Sequence, residues 1–219
     1  MVSLYYGSDK IKDRTDYGVY HGNQAIKQIY HGSTKVYQYE SYEPNTTLVN
    51  ISNGDTATVT LAKGVYQLYA AGGGGGASQW GSGGYIWSRG GCSGGAVEGL
   101  FYLSEPKTVV CSAATPTGGG AGSTPTNTTI SINGVNAVTC EGGRNGYDSQ
   151  GGGTGGVASF TDALGSVSCV ATTGLNSGSL GSPVGSPSVS SKKWGAGGNI
   201  PDDEYQYGGV IIQYLRYEV

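Results

Sequence analysis

A chain of 219 residues with 12% charged residues and a net charge of −3 suits one large domain or one plus a small appendage, at about half the usual share of charge. That balance excludes a basic footprint for nucleic acid or an anionic membrane surface, and no apolar run is long enough to span a bilayer. The opening Met1-Val-Ser-Leu-Tyr-Tyr lacks the basic and apolar regions of a secretory signal, so the expected product is soluble and made in a cytoplasm.

Residues 1–42 read as a separate module. They hold eight of the 17 tyrosines and both histidines but only four glycines. Within them Val19-Tyr-His-Gly-Asn-Gln-Ala-Ile26 is echoed ten residues later by Ile29-Tyr-His-Gly-Ser-Thr-Lys-Val36. Each copy is a β-rich run broken by a His-Gly-Asn or His-Gly-Ser turn, which predicts hairpins. The paired histidines could suggest a metal, but His-Gly within a repeated turn is an ordinary conformational choice, and no metal is expected.

Residues 43–219 form the second predicted domain. After a short linker containing Pro44, the runs Thr46–Ser52 and Thr56–Leu61 flank Asn53-Gly54-Asp55, the strongest hairpin signal in the chain. Val65–Ala70 is a third strand that runs into five glycines, Gly72–Gly76. Further strands are predicted at 96–103, 108–114, 128–132, 137–140, 157–160, 167–171 and 209–217. The last of these is the most hydrophobic and is expected to be central. No window shows a capped helical period. The expected class is all-β, a β-sandwich-like domain with little helix.

Of the 42 glycines, 36 lie between residues 72 and 209. Glycine loses the most backbone freedom on folding and brings no side chain to bury. Gly/Ser tracts are ordinarily flexible linkers, but here the clusters alternate with strand-like segments. The alternative gain is close approach of one main chain to another. Extended three-per-turn helices have no internal hydrogen bonds, so several packed side by side would satisfy one another.

Between the clusters lie loops rich in aromatic and polar residues. Trp80, Tyr85, Trp87 and Arg89 fall in one, Tyr147 and Asp148 in another, and Trp194, Tyr205 and Tyr207 in the last part of the chain. Tyr and Trp on Gly/Ser/Asn loops have the composition of recognition surfaces. The competing reading is that the tryptophans fill a core poor in large side chains.

Motifs for catalysis or cofactors are weak. Gly151-x-Gly153-x-x-Gly156 opens no helix and belongs to no βαβ unit, so it is a chance match to a dinucleotide fingerprint. No phosphate-binding loop or nucleophile elbow occurs. Cys92, Cys111, Cys140 and Cys169 lack metal-ligand spacing. Buried free thiols are one reading and disulfides the other. Asp202-Asp203-Glu204 reads as a solvated turn rather than a calcium site. No cofactor is expected.

A strand ending in Ala70-Ala-Gly-Gly-Gly-Gly-Gly76, alternating glycine clusters and loops, and a closing Gly208-Gly-Val-Ile-Ile-Gln-Tyr214 together resemble the glycine-rich domains of bacteriophage tail-fibre and tail-tip proteins, including the adhesins of T-even-like phages. The N-terminal repeat is similar to short modules of phage structural proteins. The resemblance implies polyglycine-II segments at Gly72–Gly76, Gly118–Gly120, Gly151–Gly156 and Gly195–Gly198. It also implies receptor contact through loops carrying Trp80, Tyr85, Trp87, Arg89, Tyr147, Asp148, Trp194, Tyr205 and Tyr207. The expectation is a non-enzymatic virion protein that binds a bacterial surface glycan or outer protein. Residues 1–42 would join it to other tail or fibre proteins, with a homo-oligomer allowed, and neither nucleic acid nor membrane insertion is involved. The alternatives are a structural component whose loops touch other subunits, and a glycan depolymerase drawing on Asp148, Asp162, Asp202, Asp203 or Glu204.

Overall fold

The computed structural model describes residues 44–75, 91–115, 126–144, 154–176 and 207–216 together with Tyr42, and the strands of 5–38 and 78–89 by their backbone pairing. The chain divides into two compact units, Met1–Pro44 and Asn45–Val219. It is all-β, with no α-helix among the described residues.

The first unit contains β1 (Tyr5–Tyr6), β2 (Asp9–Lys10), β3 (Val19–His21), β4 (Gln24–Ile26), β5 (Gln28–His31) and β6 (Thr34–Gln38). They pair as three antiparallel hairpins, each its own two-stranded sheet. His21 lies opposite Gln24 and His31 opposite Thr34. Two residues therefore connect each pair, Gly22-Asn23 and Gly32-Ser33, the Gly-first dipeptides that suit tight hairpins.

The second unit contains β7 (Thr47–Ser52), β8 (Thr56–Leu61), β9 (Gly64–Ala71), β10 (Ser78–Ser82), β11 (Tyr85–Arg89), β12 (Ala96–Leu103), β13 (Lys107–Ser112), β14 (Thr128–Ile132), β15 (Val135–Cys140), β16 (Ala158–Phe160), β17 (Val170–Thr172) and β18 (Gly209–Arg216). A 3-10 turn, Asp162–Leu164, sits between β16 and β17. Two five-stranded antiparallel sheets result, in the orders β17-β12-β9-β18-β7 and β16-β15-β14-β13-β8, while β10 and β11 form a two-stranded sheet.

Alternating burial shows how the sheets face one another. In β14, Thr128, Ile130 and Ile132 are buried while Thr129 and Ser131 are partly exposed, the period of two of a half-buried strand. The middle strand of the first sheet, β9, supplies Tyr66 and Leu68 to the core, both fully buried. Tyr66 lies directly across from Phe101 on one side and Tyr214 on the other. The three rings form a row with centroids 5.2 and 5.5 Å apart, one pair stacked and one edge-on, arrangements favoured by the ring quadrupole. Each fully buried large apolar side chain contributes roughly 1.5–3 kcal/mol. The Tyr66 hydroxyl donates to the Ala62 carbonyl at 2.7 Å, so its polar end is satisfied inside the core.

Two sequence expectations need correction. Asn53-Gly54 does make a tight reversal, with φ of 55° and 81° and the Asp55 amide donating to Ser52 at 3.1 Å. Yet β7 and β8 do not pair: β7 runs beside β18 in one sheet and β8 beside β13 in the other. The turn carries the chain between sheets. An equivalent pair, Asn133-Gly134, with φ of 49° and 78°, does close the hairpin β14–β15. The local turn fixes the reversal, and tertiary partners choose whether the flanking strands meet. In addition, β18 is interior but stands one place from the edge, and β9 holds the middle position. All four cysteines are free thiols, three buried and Cys169 half-buried.

Candidate functional site

The strand directions bring one end of both sheets to the glycine segments. At that end β9 finishes opposite the start of β12 and the start of β18, and β15 finishes opposite the start of β16. The Thr128 hydroxyl donates to Ala71 at 2.7 Å and the Cys140 thiol to Ala70 at 3.6 Å, tying the sheets together there. Five short segments continue beyond it: 72–75 leaving β9, 91–95 entering β12, 141–144 leaving β15, 154–157 entering β16 and 173–176 leaving β17.

These five segments are joined main chain to main chain. Gly72 and Gly75 donate to Gly95 and Cys92, both at 2.9 Å. Cys92 and Gly95 donate in turn to Arg144 and Glu141, at 2.9 and 3.0 Å. Glu141 and Arg144 donate to Val157 and Thr154, at 2.8 and 3.1 Å. Each of these pairs is three residues apart, so every third amide points at the same neighbour. The amides between them point elsewhere: Ser93 donates to Leu175 at 3.1 Å and Gly143 to Gly73 at 2.8 Å. Gly156 donates to Ser93 at 2.9 Å and Gly174 to Gly156 at 2.8 Å. Segment 91–95 is thus bonded to all four others, and all five of its residues are buried.

Such packing leaves no room for side chains. A Cβ built on Gly72 or Gly156 would land on the Glu141 carbonyl, one on Gly143 on the Cys92 carbonyl, and one on Gly174 on the Ser93 carbonyl. The obstacle each time is backbone, which cannot swing aside as a flexible side chain can. Of the central segment's two side-chain-bearing residues, Ser93 is fully buried and its hydroxyl accepts the Leu175 amide at 2.6 Å. Cys92 is also fully buried.

Sequence reasoning placed two of these segments, 72–76 and 151–156, over residues now described as 72–75 and 154–157. The expected segments 118–120 and 195–198, and residues 151–153, lie outside the described residues. It missed the central run 91–95, although Gly90–Gly95 is broken only by Cys92 and Ser93. It also missed 141–144 and 173–176, in which Glu141, Arg144, Leu175 and Asn176 are exposed. The signal for them was a Gly pair or single Gly within three residues of the end of a predicted strand.

No family model matches the chain, and no curated protein is similar to it. Its chemistry must therefore be read from the arrangement alone.

The far ends of the five segments meet: Gly75 bonds Cys92, Cys92 bonds Arg144, Arg144 bonds Thr154, and the Gly155 amide donates to the Asn176 side chain at 3.0 Å. From this face the chain departs at Gly75 and returns at Gly91, departs at Arg144 and returns at Thr154, and departs again at Asn176. The first excursion contains the β10–β11 hairpin, in which Trp80 and Trp87 hold directly opposed register positions and Tyr85 and Arg89 lie on the same strand as Trp87. Tyr147, Asp148, Trp194 and Tyr205 lie outside the described residues. Tyr207 is half-buried and sits apart from that face: its neighbour Gly208 bonds Ala114 and Asn53, beside the strand ends at the base of the segments.

The described residues offer little for acid–base or metal chemistry. No group of three or more His, Cys, Asp or Glu could hold a metal among them. Asp162 is exposed in its 3-10 turn. Burial pushes the Cys111 and Cys140 thiols up to about 12, and Cys169 upward as well, the reverse of the depressed value a reactive cysteine needs.

Proposed function

We propose that this protein is a non-enzymatic receptor-binding component of a bacteriophage tail, whose glycine-packed face carries loops that grip a bacterial surface receptor. One observation carries this reading. The excursions 76–90 and 145–153 are rooted side by side on one face, where 177–206 also starts, and 76–90 and 145–153 hold Trp80, Tyr85, Trp87, Arg89, Tyr147 and Asp148.

The three-residue spacing of the donors is the repeat of an extended three-per-turn helix, and we read the bundle as a small polyglycine-II platform at one end of the sandwich. Loops whose feet are held by backbone bonds lose less entropy on binding than free loops, which favours affinity. Aromatic rings on them can stack against a sugar face or a protein side chain. Residues 1–42 serve as the attachment module to other tail proteins in this reading.

An adsorption assay tests it. Purified protein should bind an envelope fraction of a susceptible bacterium and block phage adsorption. The Trp80→Ala/Trp87→Ala variant should lose at least about tenfold in affinity, the effect of removing aromatic anchors, with an unchanged unfolding midpoint. Failure of the wild type to bind any envelope fraction would overturn the reading.

A further inference from the structure

Four strands stand at the edges of the two five-stranded sheets: β17 and β7 in one, β16 and β8 in the other. An edge strand presents a row of unpaired main-chain groups, and natural proteins blunt such rows with shortness, charge, proline or a bulge. Three of the four are blunted. β16 and β17 have three residues each, and the pairing of β7 with β18 slips between Ile212 and Gln213. β8 is different. It pairs with β13 through six consecutive residues without a register shift, from Thr56 opposite Ser112 to Leu61 opposite Lys107. Its sequence, Thr-Ala-Thr-Val-Thr-Leu, carries no charge and no proline, and its β-branched residues favour strand pairing.

Burial shows that this flank is open. Thr56, Thr58 and Thr60, on the outer face of the sheet, are exposed, and Ala57 and Val59, on the core side, are only partly buried. Their register partners on β13, Cys111 and Val109, are fully buried. A further strand laid along β8 would cover Ala57 and Val59 and bond its outer main chain.

The sequence of β8 matches itself as that strand. Laid antiparallel on a second copy with Thr58 opposite Thr58, it sets Thr56 opposite Thr60 and Ala57 opposite Val59. Hydroxyls then face hydroxyls on the outer side, a cross-strand pair that stabilises sheets, and small apolar side chains face each other on the inner side. The same symmetry brings Asp55 of each copy to Leu61 of the other, two residues from Lys63, so opposite charges come near one another at both ends. A twofold contact repeats every one of these pairs, as an isologous interface requires.

We propose that β8 is a self-association edge: two copies of this chain pair antiparallel through Thr56–Thr60 and join their sheets across a twofold axis at Thr58. This stands independently of the receptor-binding reading.

Sedimentation of the full chain at about 100 µM, above the micromolar end of the range for specific interfaces, tests the proposal. The wild type should run at twice the 22.3 kDa chain mass. Thr58→Lys, at an exposed position, sets like charges directly opposite each other across the axis and should weaken self-association at least about tenfold. Thr58→Glu should do the same. An equimolar mixture of the two variants should return to the double mass, because opposite charges then meet. Thr129→Lys, on the same sheet face but on the interior strand β14, should leave the mass unchanged. A wild type at single-chain mass, a dimer that Thr58→Lys leaves intact, a mixture that stays at single-chain mass, or dissociation by Thr129→Lys would each overturn it.

Discussion

The Thr128 hydroxyl on β14 donates a 2.7 Å hydrogen bond to the carbonyl of Ala71, the last residue of β9 in the facing sheet. The same oxygen accepts the Ala114 amide at 2.9 Å, and all three residues are buried. One side chain thus satisfies two orphan main-chain groups at the point where the sandwich gives way to the glycine segments. Thr128→Val keeps the shape and removes both bonds. It should cost about 1–3 kcal/mol, the penalty for stranding buried polar groups, read as a lowered denaturant midpoint with an unchanged slope.

The glycine segments make a sharper test, because two kinds of glycine can be compared. Gly174 has ordinary φ but a backbone carbonyl where its Cβ would go, whereas Gly134 has φ of 78° and open space around it. Gly134→Ala should cost about 1–2 kcal/mol, the strain of a left-handed alanine. Gly174→Ala should cost about 3 kcal/mol or more, since two main chains must separate. Thermal unfolding of the two variants decides it. Equal losses would mean that close packing is not what the glycines provide.

The buried thiols give the protein an alkaline weakness. Cys111 and Cys140 titrate near 12 when folded but near 8.5 when unfolded. The neutral thiol is favoured in the native state, so its contribution is fully present below about pH 8.5 and is lost as pH rises towards 12. Stability should fall by roughly 1 kcal/mol per pH unit for each thiol over that window. Denaturant titrations at pH 8 and pH 10 measure it, and Cys111→Ala/Cys140→Ala should flatten the difference. At pH 8 an aromatic disulfide reagent should find Cys169 first and reach the other three only on unfolding.

Within the aromatic row, Tyr66→Phe keeps the ring contacts with Phe101 and Tyr214 and removes the hydroxyl that donates to the Ala62 carbonyl. The expected loss is about 1 kcal/mol, against about 3–5 kcal/mol for Tyr66→Ala, which would empty the row. Equilibrium unfolding of both variants separates the hydroxyl from the ring.

Runs of β-branched and apolar residues between turn signals were enough to locate ten strands of the sandwich to within a few residues, and a half-buried strand such as β14 also imposes a period of two on its own sequence. The ten-residue repeat likewise marked the hairpins β3–β4 and β5–β6. What local pattern could not decide was partnership. Asn53-Gly54 and Asn133-Gly134 are the same turn chemistry, yet only the second closes a hairpin, since β7 finds β18 from the far end of the chain. The glycine segments divide the same way. Composition announced that main chains would lie against main chains. That 91–95, with Cys92 and Ser93, would be the central segment follows from five strand ends converging at one end of two sheets. A hydrogen-bond partner 50 or 80 residues away leaves no trace in the residues beside it, so that choice belongs to the tertiary structure alone.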